Sequence, residues 1–374
     1  MRRSRTLAAA VAALFAIGLA AGSIDAGTTA GLPLHAQSMS WVSPQHGFLL
    51  GTTVCGTASC TTVAGTTNGG TSWETLGGLA APVTFEEAGG VTELRFADDL
   101  HGWAFNPAFW STNDGGTTWQ QQASPAGGRP VVALAANAQV AYAVVSSCNY
   151  NQGLESCHHR ETLWRTTPGS GVWRKVPLRL PIGNQALVAV RGLTAYVAVA
   201  SPGTADTLDA TIDGVHWSSR PSPCSTTTGE YLSSIAPISA MGVALLCQGN
   251  IGFGFANKHV LRSSDTAQTT SDAGTLNQYG ITSQLTASPN GTLLVSSYSI
   301  GSWIYRDGGG QTWTTSLDLG DGGMGWNDIA FTTDQIAFVV HGPAECCGNH
   351  GPGELGKSTD GGLTWQPLQV TLQG

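Results

Sequence analysis

Short apolar runs, each bounded by Gly, Asp or Asn, recur from one end of the chain to the other. Met39-Ser40-Trp41-Val42 is followed by a turn and then by His46-Gly47-Phe48-Leu49-Leu50. Leu94-Arg95-Phe96 is followed in the same way by His101-Gly102-Trp103-Ala104-Phe105. Later pairs are Ala186–Val190 with Ala195–Val199, and Asp328–Phe331 with Ile336–Val340. Runs this short, separated by turn formers, predict β-strands. Outside the N-terminus no stretch keeps a 3.6-residue apolar period, so helices are not expected.

Downstream of each pair lies a repeated phrase, Ser/Thr-x-Asp-x-Gly-x-Thr-Trp. Six copies close on Trp73, Trp119, Trp173, Trp217, Trp313 and Trp365, and a seventh, Ser263–Thr270, has Thr270 where Trp would stand. The acidic position is held by Asn68, Asp114, Pro168, Asp213, Asp265, Asp307 and Asp360 in turn. The copy at Asp213 is one residue short and that at Asp307 one residue long. A carboxylate can accept hydrogen bonds from the N–H groups ahead of it, and Gly supplies positive φ, so the phrase reads as a hairpin tip. The Trp opens the outgoing strand and is large enough to pack on a neighbouring unit. Two strands before the box, one into it and one out make four per unit. The repeat period is about 49 residues, and four-stranded units at such a period form a ring. The expected fold is all-β: a single seven-bladed propeller of four-stranded antiparallel blades with Asp-box hairpins.

Over roughly residues 38–370 the chain resembles the BNR, or Asp-box, repeat propellers. These include sialidases, xyloglucanase-type glycoside hydrolases, sortilin-type receptors and photosystem II assembly factors. The Asp-x-x-His-Gly-Trp turn at Asp98–Trp103 looks most like the assembly-factor type. The resemblance implies that the boxes are structural and sit on the outer hairpins, away from the ligand face. It also implies that the connections between blades emerge on the opposite face, together with the loops between second and third strands.

Composition changes this picture little. Gly 50 of 374 residues and 11% charged residues suit many turns and short strands. Arg2-Arg3-Ser4-Arg5 followed by the apolar Leu7–Ala21 reads as a secretory leader, too short for a membrane span. We expect residues 1–26 to be removed, with a cut after Ala36 as the alternative, then a linker over 27–37 and the propeller over 38–374; the alternative to a plain linker is a short strand from residues 30–37 that closes the ring. Losing Arg2, Arg3, Arg5 and Asp25 takes the formal charge from −8 to −10. That balance excludes a nucleic-acid partner and an anionic membrane surface, both of which ask for a basic patch. A secreted or cell-envelope monomer is expected.

Eight cysteines in an exported chain suggest disulfides. The simplest pairing is by sequence neighbour: Cys55/Cys60, Cys148/Cys157, Cys224/Cys247 and Cys346/Cys347. Three of these pairs fall between second and third strands, which by the resemblance is the ligand side. His158-His159 and His350 lie near cysteines, but without a metal-ligand spacing, so no metal or cofactor is expected.

The candidate ligand residues are Glu86, Glu87, Glu230, Tyr231, Asp321, Trp326 and Asp328, all in or beside blade connections. Carboxylates bond sugar hydroxyls and aromatic rings stack on sugar faces. No catalytic set can be chosen. Ser38–Leu50 carries no Arg-Ile-Pro phrase of the sialidase kind, one propeller is half of a xyloglucanase cleft, and the acidic charge departs from the arginine patch of the assembly factors. A nucleotide loop, a Gly-x-Ser-x-Gly elbow and a His-Glu-x-x-His phrase are also missing. The reading is a non-catalytic module binding a glycan or an extracellular protein. The alternatives are a propeller-type glycoside hydrolase, exo-sialidase-like, and an assembly partner, for which Trp110, Trp326 or the apolar Gly252-Phe253-Gly254-Phe255 loop would form the contact patch.

Overall fold

The computed structural model describes residues 31–146, 148, 159–183, 185–200, 205–252, 254–299, 301–320, 324–343 and 353–373. Seven antiparallel sheets follow one another, each with four strands in sequence order. Their first strands are His35–Trp41, Val91–Phe96, Val131–Asn137, Gln185–Arg191, Tyr231–Pro237, Thr282–Ala287 and Met324–Phe331. These seven strands together line a central channel. The chain is therefore an all-β, seven-bladed propeller of four-stranded antiparallel blades. Between blades the core is made of facing apolar rows, for example Phe48, Leu50 and Val63 of blade 1 against Leu94, Phe96 and Ala104 of blade 2.

The repeated phrase forms the hairpin between third and fourth strands. In blade 2, Asp114 Oδ1 accepts the Thr112 hydroxyl at 2.8 Å and the Thr118 N–H at 2.9 Å, while Gly116 N–H donates to Thr112 Oγ1 at 3.0 Å. Blades 5 and 7 repeat this through Ser263/Asp265/Thr269 and Ser358/Asp360/Thr364. Blade 1 does the same with Asn68, and the shorter blade 4 box with Asp213. In blade 5 the usual glycines are replaced, and Thr266 and Ala267 hold φ of 59° and 61°. Blade 3, with Pro168, closes instead through Thr166 Oγ1 to Val172 O at 2.8 Å. In blade 6 the longer tip frees Asp307 to pair with Arg262 of blade 5 at 2.6 Å.

Each box Trp packs toward the preceding blade. Trp173 meets Trp103 and Phe109 of blade 2, and Trp217 meets Tyr142 of blade 3. Trp313 donates to Ala273 O of blade 5 at 3.0 Å. Basic side chains reach the other way, onto turn carbonyls of the following blade. Arg165 bonds Gly214 O, Arg220 bonds Thr266 O, Arg262 bonds Gly291 O, Arg306 bonds Gly361 O, and Lys357 bonds Gly69 O across the closure. Four of these five stand directly before the hydrogen-bonding or acidic residue that opens their own box, a regularity in the sequence that the apolar pattern does not draw attention to.

Ring closure departs from the expected boundaries. Blade 1 is complete in sequence order, but its outer edge carries two further strands. Thr371–Gln373 runs parallel to the fourth strand, with Leu372 opposite Trp73. Leu32–Pro33 pairs antiparallel to it, with Leu32 opposite Leu372. The first strand starts at His35 rather than near Ser38. The stretch expected as a linker over 27–37 is thus part of the ring from Leu32 onward, because Leu34 and Ala36 are apolar and bury in the closing core.

Candidate binding face

The box hairpins and first turns emerge at one end of the channel. The blade connections and the loops between second and third strands emerge at the other. Cys55–Cys60 staples the second-to-third-strand loop of blade 1, with Cα atoms 5.9 Å apart. Cys224–Cys247 ties the connection entering blade 5 to that blade's second strand, with Cα atoms 5.4 Å apart. Cys148 is also disulfide-bonded. Cys157, Cys346 and Cys347 lie outside the described residues.

The channel encloses a cavity of about 450 Å³ with two unlike sides. Val132–Ala136, Ala186–Val188 and Ile235 make one side apolar. The other is charged, because strand alternation turns Glu93 and Arg95 to the same face. Arg95 donates to Asp328 Oδ2 at 2.9 Å and pairs with Glu93 at 3.2 Å. Asp328 Oδ2 also accepts the Ser38 hydroxyl at 3.0 Å and the Met39 N–H at 3.2 Å. Burial works against the guanidinium charge, but Asp328 and Glu93 outweigh it and hold the Arg95 pKa above its usual value. The cluster joins blades 7, 1 and 2.

The sequence-predicted residues do not converge on one cleft. Glu86 and Glu87 are exposed in the connection from blade 1 to blade 2. Glu230 and Tyr231 stand half-buried at the entry to blade 5, where Glu230 accepts the Ser225 N–H at 3.4 Å and the Tyr231 hydroxyl accepts from Gln248 at 3.1 Å. Asp321 lies outside the described residues. Trp326, expected as a stacking surface, is buried; its Nε1 donates to Trp303 O at 2.8 Å and its ring faces His341 at 4.6 Å. Asp328 belongs to the channel cluster. Among the described residues no group of three or more His, Cys, Asp or Glu is placed to hold a metal ion.

Of the exposed aromatic side chains, the sequence singles out Phe255 through its Gly-Phe-Gly-Phe loop, but not Tyr279 or Phe85. Among the described residues three large aromatic side chains are more than a third exposed: Tyr279 at 57%, Phe255 at 41% and Phe85 at 37%. All three are on the connection side. Tyr279 ends the fourth strand of blade 5 and stacks on Trp303 of blade 6, with centroids 5.3 Å apart and planes at 23°. Phe255 opens the adjacent strand and forms a β-bridge to Gly280. The backbone beneath is pinned by Lys258, whose buried ammonium donates to the carbonyls of Ala256, Tyr279 and Gly280 at 3.0, 3.2 and 2.8 Å. Burial pushes that ammonium down to about 8. The Tyr305 hydroxyl adds a bond to Tyr279 O at 3.0 Å. The signal available in sequence was the apolar Gly252-Phe253-Gly254-Phe255 turn; of this, Phe253 lies outside the described residues.

The fold defines the class: a seven-bladed Asp-box-type β-propeller with disulfides on its connection side. No protein-family model matches the chain, and no curated protein matches it. Among solved structures it is similar to YCF48 bound to a D1 peptide, at 17% identity and a TM-score of 0.48, over 73% of this chain and 79% of that one. It is also similar to the GH74 xyloglucanase from Xanthomonas campestris, at 11% identity and a TM-score of 0.33, over 89% of this chain and 72% of that one.

Proposed function

We propose that the protein is an exported, non-catalytic binding module that takes a glycan or an extracellular protein on its connection face. The observation that carries this reading is the gathering of Tyr279, Phe255 and Phe85 on that side, while exposed apolar residues at the box end, such as Leu100, Val215 and Leu363, are aliphatic. An aromatic ring held out on a rigid backbone offers contact area at little entropic cost. Tyr279 meets that condition, since both its ring and its carbonyl are fixed. The acidic connections carrying Glu86, Glu87 and Glu230 add hydrogen-bond acceptors on the same side.

Glu86 and Glu87 stand exposed in one connection, and the carboxylates that a glycoside hydrolase could use among the described channel-lining residues are Glu93 and Asp328. Both are committed to Arg95, and Asp328 Oδ2 already takes three donors. A general acid needs its proton free to reach a leaving oxygen. This favours a structural role for the pair and the binding reading for the protein.

The deciding experiment presents immobilised polysaccharides, sialosides and peptides to the oxidised protein, and assays the same samples for released reducing ends and free sialic acid. We expect binding without release. The double variant Tyr279→Ala/Phe255→Ala should lose at least about tenfold in affinity, on the scale of one buried aromatic contact, while remaining folded, with only a modest fall in melting temperature from the lost stack on Trp303. Release above a heat-killed control would replace this reading with a hydrolase. Unaltered binding by the double variant would remove the aromatic platform.

A further inference from the structure

We infer that the export leader is cut on the N-terminal side of Gly31, and that residues 31–36 stay in the finished protein as a clasp that closes the ring. The inference rests on the export reading for the existence of a cut; the clasp itself stands on the fold alone. The sequence allows two processing positions, after Ala26 and after Ala36. They differ by ten residues, and of these Leu32–Pro33 and His35–Ala36 lie in strands of blade 1.

Leu32–Pro33 pairs with Thr371 and Leu372, so the two ends of the described chain meet at the outer edge of blade 1. Leu34 N–H donates to Val370 O at 2.9 Å. Leu34 and Ala36 are buried with Val370 and Leu372, in a cluster that also holds Trp73 of blade 1 and Phe338 of blade 7. His35 and Ala36 are paired across to Thr52 and Gly51. Close approach reinforces the fit: a Cβ at Gly31 would stand 2.6 Å from Thr371 Cγ2. In a ring whose blades touch only their neighbours, the junction of first and last blade needs such a seal.

A cut after Ala36 would remove Leu32–Pro33, the first two of the six partner pairs between the first and second strands of blade 1, and two buried side chains. The C-terminal strand Thr371–Gln373 would keep only its two-residue parallel pairing to blade 1. A cut near Ala26 removes none of these.

The test has two arms. The first is the N-terminal residue of the protein recovered from an export-competent host, read by mass. We expect a start before Gly31; a start at Gln37 would overturn the inference. The second compares chains beginning at Gly27 and at Gln37, both made without a leader and oxidised after purification. The Gln37 chain should melt several degrees lower and be clipped faster by protease; equal melting would remove the clasp whatever the first arm gives. Because the Gln37 chain could simply fail to fold, Leu32→Cys/Leu372→Cys in the chain from Gly27 supplies a further readout. Partners facing each other across strands suit a disulfide, so the pair should cross-link on oxidation, and the oxidised form should melt higher than the same variant reduced at these two positions. Free thiols at both positions under oxidising conditions would show that the strands do not meet.

Discussion

At Asp360 the side chain is half-exposed, yet its carboxylate is held to about 2 by the Thr364 hydroxyl, the Thr364 N–H and the Ser358 hydroxyl. Asp265 is held to about 2 by the Thr269 N–H and hydroxyl and by Ser263. Both values lie below the usual 3.8, so the folded state binds these protons later than the unfolded chain does. The stability they contribute is fully present above about pH 4 and is lost as pH falls toward about 2. We expect the melting temperature to drop across that window, and Asp360→Asn to flatten the drop, as read by thermal melts from pH 5 to pH 2. An equally steep drop in the variant would place the acid-sensitive groups elsewhere. Asn68 is the built-in control: it makes the same turn bonds without a titrating group.

Each hairpin has the same task, to offer a wedge to the preceding blade, and elements without the Trp are compensated locally. Blade 5 lacks it, and there the Cys224–Cys247 bridge lies inside the core shared with blade 4, beside Tyr196, Leu208 and Leu245. That bridge spans 23 residues, against five for Cys55–Cys60, which sits at a loop tip. Loop-closure entropy then predicts a loss of about 3 kcal/mol for Cys224→Ala/Cys247→Ala and about 2 kcal/mol for Cys55→Ala/Cys60→Ala. Denaturant unfolding of the two double variants checks the order. If the loop-tip pair cost more, the stapled loop would be part of the fold rather than of the surface.

Across the whole ring the channel cluster couples blades that are far apart in sequence. Ser38, Arg95 and Asp328 come from blades 1, 2 and 7, and the pair at 2.9 Å spans 233 residues. Replacing Arg95 by Met would leave Glu93 and Asp328 as like charges facing a narrow lumen. Breaking a largely buried ion pair from one side costs about 3 kcal/mol, and we expect Arg95→Met to lose that much by denaturant unfolding. Arg95→Met/Asp328→Asn should recover part of it, because the uncompensated charge goes too. No recovery would mean that Arg95 acts through its backbone contacts to Leu94 O and Met39 O instead.

The sequence by itself determined the repeat, the blade count, the four-stranded unit and the hairpin tips, because each rests on local chemistry. Short apolar runs between turn formers make strands, Asp or Asn with Gly makes the turn, and a Trp at fixed offset makes the wedge. The pairs Cys55/Cys60 and Cys224/Cys247 were legible for the same reason, being close in the chain. What depended on several blades at once was decided only by the tertiary structure. Trp326 had a surface-like context of Gly and Asn, yet the ring turned it inward against His341. Asp328 stood beside it in sequence and became the partner of an arginine two blades away. Tyr279 had no motif at all and was left exposed because Trp303 of the next blade supports only one of its faces. Leu32–Ala36 reads either as linker or as a closing strand, and the pairing to Thr371 and Leu372 decides for the strand. A residue's role here depends on which neighbour the closed ring brings to it, and that neighbour is set by the closure, not by adjacent sequence.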